Sequence, residues 1–166
     1  MTILSTQPQV DQLDSFIIES TRDVFSTMLS WEVNEVPLES NGQPATFAML
    51  EYTGCIGLAG KMTGSLFFSC SEQLAKRAAG VILGADVASD PHQISDVVGE
   101  LTNMLAGGCK SRLCDHECPV VMSIPNIIRG NAIRASSRDV KFMLQRRFDV
   151  TIVGESFQVI ALGKFE

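Results

Sequence analysis

Two short runs limit what this chain can fold into. Residues 45–59, ATFAMLEYTGCIGLA, and 63–70, TGSLFFSC, are apolar or alternating and bounded by Gly, which marks strands. The segment AGKMTG between them predicts a hairpin turn. SEQLAKRAAGVILG follows as a helix expected to pack on the sheet, with Ser71 as N-cap and Gly84 at its C-terminal end.

The flanking sequence supplies the other elements. Val10, Leu13, Ile17, Val24, Phe25 and Met28 recur at helical spacing, predicting a first helix over about residues 10–30. SNGQPA then breaks the chain. In SDPHQ, Asp90 can cap a helix, Pro91 suits its first position and Gln93 can reach back, and the helix should run to about Leu113. Beyond it, PVVMSIPNIIRGN mixes β-branched residues with Pro125 and a Gly130-Asn131 turn, and DVKFMLQRRFDVTIV and SFQVIALGKF read as closing strands. Helices alternating with strand pairs, without a strict strand-helix-strand rhythm, predict an α/β sandwich: helices on one face of a largely antiparallel (mixed) sheet.

At 166 residues, 18.0 kDa and 45% apolar content, the chain suffices for one core, so residues 1–166 are expected to form a single domain behind a loose start at 1–9. A net charge of -6 and a pI near 4.9 argue against wrapping nucleic acid or lying on anionic lipid, both of which need a cationic surface. Cys55, Cys70, Cys109, Cys114 and Cys118 are odd in number and lack framework spacing, as suits reduced thiols in a cytosol. No basic region followed by an apolar run opens the chain, and no stretch approaches the roughly 20 apolar residues of a membrane span, so a cytoplasmic protein is expected.

DVVGELTNMLAGGCK, residues 96–110, is where chemistry enters. Helical spacing puts Asp96, Glu100 and Asn103 on one stripe that continues through Gly107 and Lys110, while Ile94, Val97, Val98, Leu101 and Leu105 form a buried stripe. Asn and especially Gly are poor helix formers, Gly by about 1 kcal/mol relative to Ala, so helix stability does not account for this composition.

From about Thr53 to Asn131 the sequence resembles the CheX-like members of the CheC/CheX/FliY chemotaxis phosphatases. That family carries Asp or Ser, three residues, Glu, two residues, Asn, and a Pro a little over twenty residues later, and Asp96, Glu100, Asn103 and Pro125 match it. GLAGKMTGSLFFS, ELTNMLAGGCK and SIPNIIRG share its texture. The resemblance implies a CheC/CheX-like fold and removal of the phosphoryl group from the phospho-aspartate of a CheY-like response regulator (a receiver domain). The receiver brings its own Mg2+ and charged residues, so no cofactor is expected in this chain, and the missing component is a placed water. A carboxamide both accepts and donates, so Asn103 could hold that water in line without titrating. Glu100 resembles the family's acid that pairs with the receiver's Lys. Asp96 would support the motif, and small residues at Gly99, Ala106 and Gly107 would let the helix reach the phosphorylation pocket. The resemblance further implies a homodimer.

Other clusters read more simply. Cys109, Cys114, His116 and Cys118 could be drawn as a zinc set, but they do not fall into the two close pairs that structural zinc sites usually bring from tight knuckles, and no metal is expected. Cys55 and Cys70 read as small core residues, His92 as an exposed helix-start residue, and Pro125 as a shaper of a strand edge. Glu19 and Arg22 echo the spacing of Glu100 and Asn103, but Arg cannot hold water as Asn does, so one active centre is expected. The alternative is a non-catalytic CheX-like module that binds a receiver or another signalling partner.

Overall fold

The structure, a computed structural model, describes residues 7–37, 46–85 and 89–166. The break expected at SNGQPA, residues 40–45, lies outside them. In chain order the elements are α1 (Gln7–Leu29), β1 (Asn34–Val36), β2 (Thr46–Ala48), β3 (Tyr52–Gly60), β4 (Met62–Cys70), α2 (Glu72–Leu83), α3 (Pro91–Asp115), β5 (Val120–Met122), β6 (Asn126–Arg129), β7 (Arg134–Ser136), β8 (Phe142–Val150) and β9 (Glu155–Phe165). Helix α1 begins at Gln7, so residues 7–9, expected in the loose start, form its first turn.

The main sheet runs β1-β8-β9-β4-β3-β5, with β6 also pairing β3, and every pairing is antiparallel. The β3–β4 hairpin is the predicted one, tight because Gly60 (φ 134°) turns the chain where a Cβ would strike the Pro119 carbonyl at 2.5 Å. Alternation sends Met62, Leu66, Phe68 and Cys70 of β4 to the helix side, all fully buried. Phe25 of α1 stacks on Phe157 of β9 with centroids 4.4 Å apart, and Phe148 of β8 also stacks on Phe157 at 5.2 Å. Burying each such aromatic or aliphatic side chain stabilises the fold by about 1.5–3 kcal/mol, so this layer dominates the core.

The expected single strand over 45–59 is two. Between β2 and β3 the chain passes into the main sheet, and β2 pairs β7 as a separate ribbon. That ribbon covers part of the face opposite the helices, where Phe47, Met49, Ile160 and Leu162 make a second small core. An apolar run reports burial, not which side of a sheet does the burying.

The helix ends follow local chemistry. Ser71 Oγ accepts from the Leu74 amide, and Asp90 accepts from the His92 amide ahead of Pro91. Helix α3 ends with Glu117 at φ 62°, the Cys118 amide donating to Leu113 O and the Glu117 amide to Cys114 O, which satisfies two terminal carbonyls.

One irregularity shapes the sheet edge beside α3. Met122 pairs with Leu58 and the Ser123 amide donates to Gly57 O at 2.9 Å, yet Asn126 already stands opposite Cys55. Ile56 is thus left facing two residues, Ile124 and Pro125, which is a β-bulge. Proline is tolerated there because the bulge leaves a ladder position unpaired.

Candidate functional site

Helix α3 lies across the sheet with Ile94, Val97, Val98, Leu101 and Leu105 turned into the core, each at most 3% exposed. Its height is set by a contact without slack: a Cβ at Gly54 of β3 would come within 1.9 Å of Thr102 Oγ1, and Thr102 itself is fully buried, donating to Val98 O at 2.7 Å.

On the opposite side of the helix, Asp96 and Glu100 are exposed and Asn103 is half-buried. None of the three forms a side-chain hydrogen bond or ion pair among the described residues. Gly107 continues the stripe, and a Cβ there would meet nothing within 4 Å. The other small residues serve a different purpose from the one expected. Ala106 is fully buried in the core. Gly99 is buried too, and a Cβ there would sit 3.5 Å from Ile127 Cδ1 and 3.8 Å from Pro125 Cγ. Gly99 and Ala106 therefore seat α3 on the protein, and of the three only Gly107 lies open to a partner. Gly108 faces α1, where a Cβ would crowd Ser20 Oγ at 2.9 Å.

The same close approach accounts for the echo in α1. Arg112 of α3 reaches across to Glu19 at 3.1 Å, Asp23 at 2.6 Å and Ser20 Oγ at 3.0 Å, while Arg22 pairs with Glu35 of β1 at 2.9 Å. Glu19 and Arg22 are engaged within the chain, whereas Glu100 and Asn103 have no such partner among the described residues.

The cysteine cluster is dispersed. Cys109 is fully buried against α1, and burial pushes its thiol up to about 11 despite the opposing Ser20 hydrogen bond and the Arg112 charge. His116 is held by the Arg112 carbonyl at 2.8 Å and tilts on Phe16 at 4.9 Å, while Cys114 is exposed and Cys118 buried. No three potential metal ligands converge among the described residues. Cys70 is a core residue as expected, its thiol raised first by burial and then by Glu51, but Cys55 is only half-buried on the far face of β3. No helix among the described residues is long and apolar enough to cross a membrane.

The family model described as "Chemotaxis phosphatase CheX" matches residues 52–146, more than half the chain and including β3, all of α3 and the bulge. The chain belongs to the CheX family. Solved structures agree in fold. A CheX from Desulfovibrio desulfuricans is 20% identical with a TM-score of 0.80, over 92% of this chain and 99% of that one. A CheC-like superfamily protein from Shewanella sp. PV-4 is 26% identical with a TM-score of 0.76, over 91% and 97%. The CheX–CheY–BeF3–Mg2+ complex from Borrelia burgdorferi matches at 19% identity and a TM-score of 0.69, over 90% and 96%. No curated protein matches the sequence significantly. Within this CheX-family domain the stripe Asp96-Glu100-Asn103-Gly107 lies on α3, which is seated on β3 and β4 and on the bulged edge.

Proposed function

We propose that this CheX-family domain hydrolyses the aspartyl phosphate of a CheY-type response regulator. The observation that carries the reading is a Glu and an Asn on one surface stripe of a rigidly seated helix, without partners among the described residues, in a chain of this family. Polar side chains at a rigid surface with no internal partner are available to another molecule. The Borrelia relative crystallised with CheY, BeF3 and Mg2+ supports a receiver domain as that molecule.

The chemistry divides between the partners. The receiver supplies Mg2+ and the charges that neutralise the phosphoryl group, so this chain needs to add only a water in line with the phosphorus. Asn103 accepts a hydrogen bond from that water through its amide oxygen and donates one through its nitrogen, fixing its attack direction. Water attacks phosphorus, the P–O bond to the aspartate breaks, and the carboxylate leaves as inorganic phosphate forms. Glu100, one turn earlier, pairs with the receiver's active-site Lys and aligns the two proteins, and Asp96 supports that end of the stripe.

The test is the rate of phosphate loss from an acyl-phosphorylated receiver mixed with this protein. Acceleration by the wild type that Asn103→Ala abolishes is the expected result. Binding of the receiver without acceleration would make the chain a non-catalytic receiver-binding module.

A further inference from the structure

Exposed large apolar side chains are few among the described residues: Val81, Leu83, Val121, Ile124 and Ile152. Ile124 is the most exposed of them at 80%, and it occupies the bulge. A large aliphatic group in water is common on its own. This one is distinguished by how firmly it is held and by what it is held against.

Ser123 ties the bulge to β3 twice, its amide donating to Gly57 O and its Oγ accepting from the Gly57 amide, both at 2.9 Å. The same hydroxyl donates to Ile124 O at 2.9 Å. On the other side, Pro125 packs toward Gly99, the residue preceding Glu100 and one turn before Asn103. The extra residue opposite Ile56 re-aims the chain, as bulges do, so that Pro125 meets the helix while Ile124 is left in solvent beside it. The fold therefore spends a ladder position to fix an isoleucine in water next to the polar stripe.

We infer that Ile124 is the apolar anchor by which this protein docks its receiver, seated on an apolar patch bordering the receiver's phosphorylation pocket and setting which receiver is accepted. The inference rests on the phosphatase reading above. The polar stripe consists of two carboxylates and a carboxamide, groups that align and react but gain little from desolvation. A preformed aliphatic knob at the rim supplies the buried contact that such an interface lacks, and it loses little conformational entropy because its backbone is already fixed and its β-branched side chain is stiff at χ1.

Ile124→Asp and Ile124→Ser, with Ile152→Asp as the control in the turn after β8, are compared in steady-state dephosphorylation of one receiver and in binding to that receiver loaded with beryllofluoride. The expected result is a KM and a Kd raised at least about ten-fold by both Ile124 changes, with kcat within about two-fold. Ile124→Val and Ile152→Asp should behave as wild type. Equal loss from Ile124→Asp and Ile152→Asp, or an unchanged KM and Kd in both Ile124 variants, overturns the anchor and leaves the phosphatase reading standing. A wild-type protein that neither speeds phosphate loss nor binds the receiver removes the phosphatase reading, and the anchor with it. Circular dichroism melts confirm that each variant is folded, and Ile124→Ser decides the matter if Ile124→Asp is not.

Discussion

Gly54 of β3 lies under Thr102 of α3 so closely that even a methyl group at 54 would overlap the threonine hydroxyl, at 1.9 Å. The neighbouring residue is Asn103, so the depth at which α3 sits on the sheet also sets where the carboxamide stands. Gly54→Ala should cost about 1–3 kcal/mol in urea unfolding, the usual range for overpacking. The phosphatase rate should fall with it, because the helix must lift. Full stability with full activity would show that Thr102 yields without moving α3.

Asn103 and Glu100 should separate kinetically. Asn103→Ala is expected to lower kcat at least about 100-fold, roughly 2.7 kcal/mol of barrier, with receiver binding nearly unchanged. Glu100→Ala should weaken association with a smaller loss of rate, and Glu100→Lys should be worse because it sets like charges face to face. Steady-state kinetics with binding to a beryllofluoride-loaded receiver reads both. Retention of the full maximal rate by Asn103→Ala would rule out the water-positioning role.

Gly107 has open space where its side chain would be. Gly107→Phe should leave the melting temperature unchanged or raise it, since Gly is the poorer helix former, yet lower kcat/KM at least about ten-fold by blocking the docking face. Activity equal to wild type would place the contact surface elsewhere.

Stability should decline in alkali partly through Cys109. Burial holds its thiol at about 11 in the fold against an ordinary value of 9.0, so both states are protonated below 9 and this group has no effect there. Between the two values the unfolded chain loses the proton first, and unfolding becomes progressively easier. Urea titrations at about pH 8 and about pH 10.5 should show the loss, and Cys109→Ala should make it shallower. An identical pH slope in Cys109→Ala would assign the loss to other groups.

A homodimer is expected, as the resemblance to CheX implies, and β1 leaves one edge of the main sheet closed by three residues only. Light scattering at micromolar concentration should give twice the chain mass, and a monomer there would count against pairing.

The local signals in the sequence carried far. The β3–β4 hairpin, the caps at Ser71 and Asp90, the start of α3 at Pro91 and its two stripes all depend on neighbours within a few residues, and a helical or alternating period expresses them directly. The polar stripe was legible for the same reason, as was the family, through Asp96, Glu100, Asn103 and Pro125. Only the tertiary structure decided the use of each glycine and alanine. Small residues look alike along a chain, yet Gly54, Gly99, Gly108 and Ala106 make room for α3, Pro125, α1 and the core, while Gly107 makes room for nothing among the described residues. The split of residues 45–59 between two sheets, the capture of Glu19 by Arg112 and of Arg22 by Glu35, and the bulge that strands Ile124 beside the motif were equally hidden. Each depends on which distant segment lies opposite, and helical or alternating period says only that a residue is covered, not by what.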